Sequence, residues 1–89
     1  MQVEEVIQIK NRLGLHARPA ALMVQTASKY SSRIELEVEG TRVNGKSIMG
    51  VMMLAAAYGS KMKVIAQGDD ARESINAIKA LIESKFDEE

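Results

Sequence analysis

The stretch from Arg33 to Glu39 constrains this chain most. Ile34, Leu36 and Val38 alternate with Arg33, Glu35, Glu37 and Glu39. Strict period-two alternation predicts a strand with one face buried and the other in water. A strand wet on one side belongs to an antiparallel sheet covered on a single face. Val3, Glu5, Ile7 and Ile9 share one face of an earlier strand, opposite Glu4, Val6, Gln8 and Lys10. A further strand runs from Lys61 to Gln67, with Met62, Val64 and Ala66 inward. Thr41 to Asn44 reads as a short strand returning through a tight turn at Gly40.

Three segments carry helical patterning. Ala17 to Lys29 sets Ala20, Val24 and Ala27 on one stripe, although Pro19 disfavours helical geometry at Arg18 and by simple rule would itself begin the helix. Ser47 to Ala57 is apolar nearly all round, with Val51, Leu54 and Ala55 as its expected buried stripe. Ala71 to Lys85 aligns Ile75, Ile78, Leu81 and Ile82, with Asp70 as cap and Glu73 at the capping-box position. The order is strand-helix-strand-strand-helix-strand-helix. Helices must cover the apolar sheet face. The expected fold is therefore α+β: an open-faced two-layer sandwich of four antiparallel strands and three helices, spanning 1–89 as a single domain.

Composition narrows function. Twelve basic and twelve acidic residues leave no net charge, which argues against a nucleic-acid partner, since that requires a basic surplus. Without cysteine there is no thiolate chemistry or disulfide. One histidine with no suitably spaced carboxylate makes no metal site, and no cofactor is implied. The start lacks signal-peptide patterning, and the longest near-apolar run, Ile48 to Gly59, is too short for membrane insertion. A cytoplasmic protein is expected. With Phe86, Tyr30 and Tyr58 as the only aromatics, the expected core is Ile, Val, Leu, Met and Ala.

The single histidine, His16, stands in Gly14-Leu15-His16-Ala17-Arg18-Pro19-Ala20. It can be an ordinary loop residue at a strand-to-helix turn. It also sits where a helix mouth offers unpaired N–H groups and partial positive charge, a natural phosphate site. That field favours neutral imidazole, whose ring nitrogen is a nucleophile. Arg18 adds a forked, charged phosphate donor. Ser47, in Asn44-Gly45-Lys46-Ser47-Ile48-Met49-Gly50, reads first as a helix cap and second as a phosphorylation site on that helix end. The helix after it carries too many apolar residues for one core-facing side. Ile48, Met49, Met52 and Met53 either pack under a loop or neighbouring helix, or form an exposed, adaptable partner patch.

Gly14 to Ala20, GLHARPA, closely resembles the active-site motif of HPr, the histidine-containing phosphocarrier family of the bacterial phosphotransferase system (PTS). Lys46 to Met52, KSIMGVM, resembles that family's regulatory-serine motif. The resemblance extends over essentially the whole chain and implies the same open-faced sandwich. It implies that enzyme I, using phosphoenolpyruvate, phosphorylates His16 at Nδ1, giving pros-phosphohistidine. The group then passes to an EIIA component of sugar transport. Arg18 would stabilise the phosphoryl group, and Ser47 would be the target of an HPr kinase/phosphorylase. Ile48, Met49, Met52 and Met53 would dock partners. The chain would be a stoichiometric carrier, not an enzyme. Alternatives are a nitrogen-branch carrier (NPr-like), which the acidic tail Asp87-Glu88-Glu89 suits equally, a chiefly regulatory paralogue read through Ser47, and a plain protein-binding module with His16 incidental. Paralogues of catabolite repression that lack the histidine are disfavoured by His16.

Overall fold

The computed structural model describes residues 1–87. The last two residues of the acidic tail, Glu88 and Glu89, lie outside the described residues. The elements are β1 (Gln2–Gln8), α1 (Ala17–Ala27), β2 (Arg33–Val38), β3 (Thr41–Asn44), α2 (Ile48–Met53), β4 (Lys61–Gln67) and α3 (Ala71–Glu83), followed by a short turn at Lys85–Asp87. All strand pairs are antiparallel, and the sheet order is β1-β4-β2-β3. This is the expected open-faced sandwich.

Alternation decides which face is covered. Val3 and Ile7, Met62 and Val64, and Ile34 and Leu36 bring their apolar side chains to one side of the sheet and into the core. There α3 packs on β1 and β4, and α1 packs on α2 and α3. The other face carries charge. Arg42 donates from Nε and Nη2 to Glu37 Oε1 at 2.9 and 2.8 Å. Ile65 departs from that pattern. It stands on the charged face between Glu4 and Glu35, yet only 5% of it is exposed. Long side chains flanking a central strand can cover it with their stems. Glu5, on the core-facing side of β1, escapes burial by meeting Lys79 Nζ at 2.9 Å and Arg72 Nη1 at 3.5 Å. The hydrogen bond from Lys79 leads in holding its carboxyl below the usual range.

Five expectations need correction. In α1 the buried set is Pro19, Ala20, Met23 and Ala27, with Val24 only half-buried. Helix α2 stops at Met53 instead of Ala57; Ala55 is exposed with φ 49°, and Ala56 is buried in its place. In α3, Leu81 is half-buried while Ser74 is buried, its hydroxyl donating to Ala71 O at 2.7 Å. The core is not purely aliphatic, because Phe86 is fully buried.

The last correction concerns Asp70. It stands at the N-cap of α3 but makes no side-chain cap, and Glu73 is simply an exposed acid in the first turn. The Asp70 carboxylate instead accepts the backbone N–H groups of Ser31 and Ser32, each at 2.9 Å, and the Ser32 hydroxyl. It thereby ties the start of α3 to the entry of β2. The Ser32 hydroxyl, followed by the Ser31 amide, lowers its pKa from 3.8 to about 2. A carboxyl depressed by folding stabilises the protein above its unfolded value, and that stabilisation fades as pH falls through the folded value. Urea midpoints for parent and Asp70→Ala should therefore differ at pH 7 and converge between pH 3.8 and about 2. A gap that stays constant over that range would contradict the tether.

Candidate functional site

The turn before α1 is closed by its own backbone bonds, Gly14 N–H to Asn11 O at 3.2 Å and His16 N–H to Gly14 O at 3.1 Å, and by two further contacts. Asn11 Nδ2 donates to Gly14 O at 2.7 Å, closing the turn on itself. Leu15 N–H donates to Ala56 O at 2.9 Å, fastening the turn to the segment beyond α2. Gly14 is required there: its φ is +67°, and a Cβ would lie 2.4 Å from Ala56 O. Helix α2 has already ended there, and residues 55–57 present the Ala56 carbonyl to this turn.

His16 is the N-cap residue of α1, with extended backbone (φ −82°, ψ −171°), and its side chain makes no cap hydrogen bond. Its carbonyl accepts the Ala20 N–H at 3.0 Å, so the helix begins at Ala17 as its own pattern suggests. Pro19 falls within the first turn, where a missing N–H removes no helical bond. The imidazole is half-buried, and Arg18 is exposed one residue into the helix. A half-buried imidazole at a helix mouth, followed by a guanidinium, can accept an anionic group and hold it against backbone N–H dipoles.

Ser47 is the N-cap of α2, and its Oγ accepts the Gly50 N–H at 3.1 Å. Lys46 is held beside it by Nζ donating to Tyr30 O at 2.7 Å. Beyond Ser47 the helix divides cleanly. Val51 and Leu54 enter the core, while Ile48, Met49, Met52 and Met53 are 46%, 76%, 43% and 72% exposed. The adaptable patch is therefore at the surface. Because α1 and α2 pack together and the His16 turn is bonded to Ala56, the helix mouth that carries His16 is joined to the segment that carries this patch. Leu13, within the His16 turn and 74% exposed, was not legible in the sequence, since one apolar residue between Arg12 and Gly14 makes no periodic pattern.

Residues 3–84 match the family profile described as "PTS HPr component phosphorylation site". The chain belongs to the HPr family. The phosphocarrier protein HPr of Treponema pallidum is 47% identical over 87 residues, covering 98% of this chain and 99% of that one. The HPr-like protein Crh of Halalkalibacterium halodurans is 46% identical, covering 93% and 99%. The crystal structure of HPr-C-His from Thermoanaerobacter tengcongensis superposes with TM-score 0.94 at 57% identity, covering 98% of each chain. The family assignment makes this chain an HPr-type phosphocarrier of the PTS. Among the described residues no helix is long and apolar enough to cross a membrane, and no acidic, histidine or cysteine cluster could hold a metal.

Proposed function

We propose that this chain relays a phosphoryl group from enzyme I to an EIIA domain through Nδ1 of His16. It is a cytoplasmic carrier acting as one domain and not an enzyme in its own right. The observation that carries the reading is the N-cap position of His16 at the mouth of α1. It lies within the GLHARPA turn, which the Leu15 N–H fastens to Ala56 O at 2.9 Å. In the first step the imidazole lone pair forms a nitrogen–phosphorus bond while the bond from phosphorus to the donor breaks. In the second the nitrogen–phosphorus bond breaks as the acceptor takes the group. The guanidinium of Arg18 and the first-turn N–H groups of α1 stabilise charge on the phosphoryl oxygens. Labelled phosphoenolpyruvate, enzyme I and a purified EIIA domain test the relay. Label should reach EIIA only when this chain is added, and unchanged transfer without it would defeat the proposal.

Donor and acceptor must each reach His16, so they share one surface and bind in turn. Rapid turnover calls for small interfaces, below about 1,200 Å² in total, which lean on a few central apolar anchors. Ile48, Met49, Met52 and Met53 supply those anchors. Met49→Asp or Met52→Asp should weaken binding of both enzyme I and EIIA at least about tenfold, because the new carboxylate is desolvated without a partner. Unchanged affinities in titration calorimetry would remove the methionines from the interface.

Ser47 is proposed as a regulatory phosphorylation site for an HPr kinase/phosphorylase. Phosphoserine brings about −1.5 to −2 charges to the end of the helix that carries the patch. Ser47→Asp keeps a good capping residue, so the fold should persist. Direct repulsion of a phosphoryl group at His16, at an assumed separation of about 10 Å, is roughly 0.8 kcal/mol in water before screening. Burying an unpaired charge at an apolar interface costs several kcal/mol. Ser47→Asp should therefore bind enzyme I more weakly at both low and high salt. Normal binding with a transfer defect that salt erases would point to repulsion instead. A chiefly regulatory role through Ser47 is the second reading, supported by the position of Ser47 at the N-cap of the helix that carries the exposed methionines.

A further inference from the structure

Six methionines and no cysteine stand in this chain, so every sulfur it can offer an oxidant is a thioether. The fold sorts these six into three groups. Met23 and Met62 are fully buried in the core. Met52 and Met53 follow Met49 by three and four positions on α2, so all three share one face of that helix. The face is outward because Val51 and Leu54 take the inward side, and all three methionines are exposed. Met1 is as exposed as Met49 but stands far from it. Its carbonyl accepts the Gly68 N–H at 2.8 Å, past the end of β4, whereas α2 leads into the start of that strand. Strand β4 has 7 residues, which separates its two ends by roughly 20 Å.

A thioether needs access to its oxidant more than it needs activation. The sulfur lone pair attacks one oxygen of hydrogen peroxide. A sulfur–oxygen bond forms as the oxygen–oxygen bond breaks. The displaced oxygen departs as hydroxide and takes the proton of the transferred one, giving water. Sulfur loses two electrons and the peroxide gains them, so no protein base is required. With no thiol in the chain, none competes for the oxidant. The product, methionine sulfoxide, is polar where methionine was apolar and adaptable. Pressed into an apolar interface, its oxygen is an acceptor without a donor, which opposes association. We propose that Met49, Met52 and Met53 form a reversible oxidation site, at which a hydroperoxide turns the exposed face of α2 polar and releases the chain from its phosphoryl donor and acceptor. The effect on transfer rests on the docking role proposed for that face above. Met23 and Met62 are shielded by burial, so the fold outlasts the change. Reductases specific for each sulfoxide epimer can restore the thioethers.

Hydrogen peroxide treatment of the intact chain tests this, with catalase removing the oxidant before titration into untreated enzyme I. Peptide mass mapping should show Met49 and Met53 gaining one oxygen at least about tenfold faster than Met23 and Met62. Enzyme I affinity should fall at least about fivefold and return after treatment with both epimer-specific sulfoxide reductases. The triple variant Met49→Leu, Met52→Leu, Met53→Leu keeps apolar side chains on the face and retains Met1. Whatever its starting affinity, peroxide should leave that affinity unchanged. Equal peroxide-induced loss in the triple variant, or loss that tracks oxidation of Met23 and Met62, would overturn the site. Affinity that survives full oxidation of the face, while Met49→Asp weakens binding, would overturn the oxidative release and leave docking intact. Unchanged binding by both the oxidised chain and Met49→Asp would overturn the docking role as well.

Discussion

His16→Ala should take up no phosphoryl group from enzyme I while remaining folded. The chain has one imidazole, so no second nucleophile of that kind can substitute. His16 is half-buried at the N-cap, and its side chain makes no cap hydrogen bond. Removing it should shift stability by about 1 kcal/mol or less, as for other sites outside the core. Arg18→Ala should slow uptake by about tenfold without stopping it, because a charge-assisted contact is lost while the nucleophile stays. Time courses of phosphoryl uptake with circular dichroism melts on each variant check both statements. Uptake by His16→Ala at the parental rate would show that the acceptor lies elsewhere.

Phe86→Ala should cause the largest stability loss of any single truncation near the end of the described chain. Phe86 is fully buried and heads the large side chains of the core. Truncating a buried Phe to Ala typically costs about 3–5 kcal/mol, from lost transfer energy plus the cavity left behind. A domain of this size has only about 5–15 kcal/mol in total. The melting temperature should fall by more than about 12 °C. Release of the left-handed turn at Lys85–Asp87 recovers part of the loss, which places the expected value toward the lower end. Tyr58→Ala, at an exposed ring, should stay within about 0.5 kcal/mol. A loss below about 1 kcal/mol for Phe86→Ala would mean that the ring is not a core member.

Local patterning made the sheet legible. Ile34, Leu36 and Val38 alternate so regularly that face, pairing type and layer follow from the strand itself, and Glu39-Gly40, both left-handed, mark the return into β3. What was not legible depends on bonds between distant segments. Beyond the end of α2 at Met53, Ala56 is buried and its carbonyl serves Leu15, forty-one positions earlier in sequence, and nothing within Ser47 to Ala57 signals that bond. Asp70 looks like a cap by neighbourhood and acts as a tether because Ser31 and Ser32 arrive across the fold. Phe86 follows the polar run Glu83-Ser84-Lys85, where periodicity has already stopped. The site divides in the same way. His16 and Ser47 stand out through their motifs, and counting apolar residues against one core-facing side shows only that Ile48, Met49, Met52 and Met53 cannot all join it; that they are exposed and not packed under a neighbour is seen in the fold. Leu13 had no such signature, since it is a lone apolar residue in a turn between Arg12 and Gly14.

Intact mass spectrometry of the unmodified chain after incubation with enzyme I and phosphoenolpyruvate, followed by phosphorus–proton correlation on the imidazole, decides whether His16 is the phosphoryl acceptor. A single phosphoryl group per chain is expected, lost in acid, with phosphorus coupled through Nδ1 of His16. An unmodified mass, or an acid-stable group residing on Ser47, would contradict it.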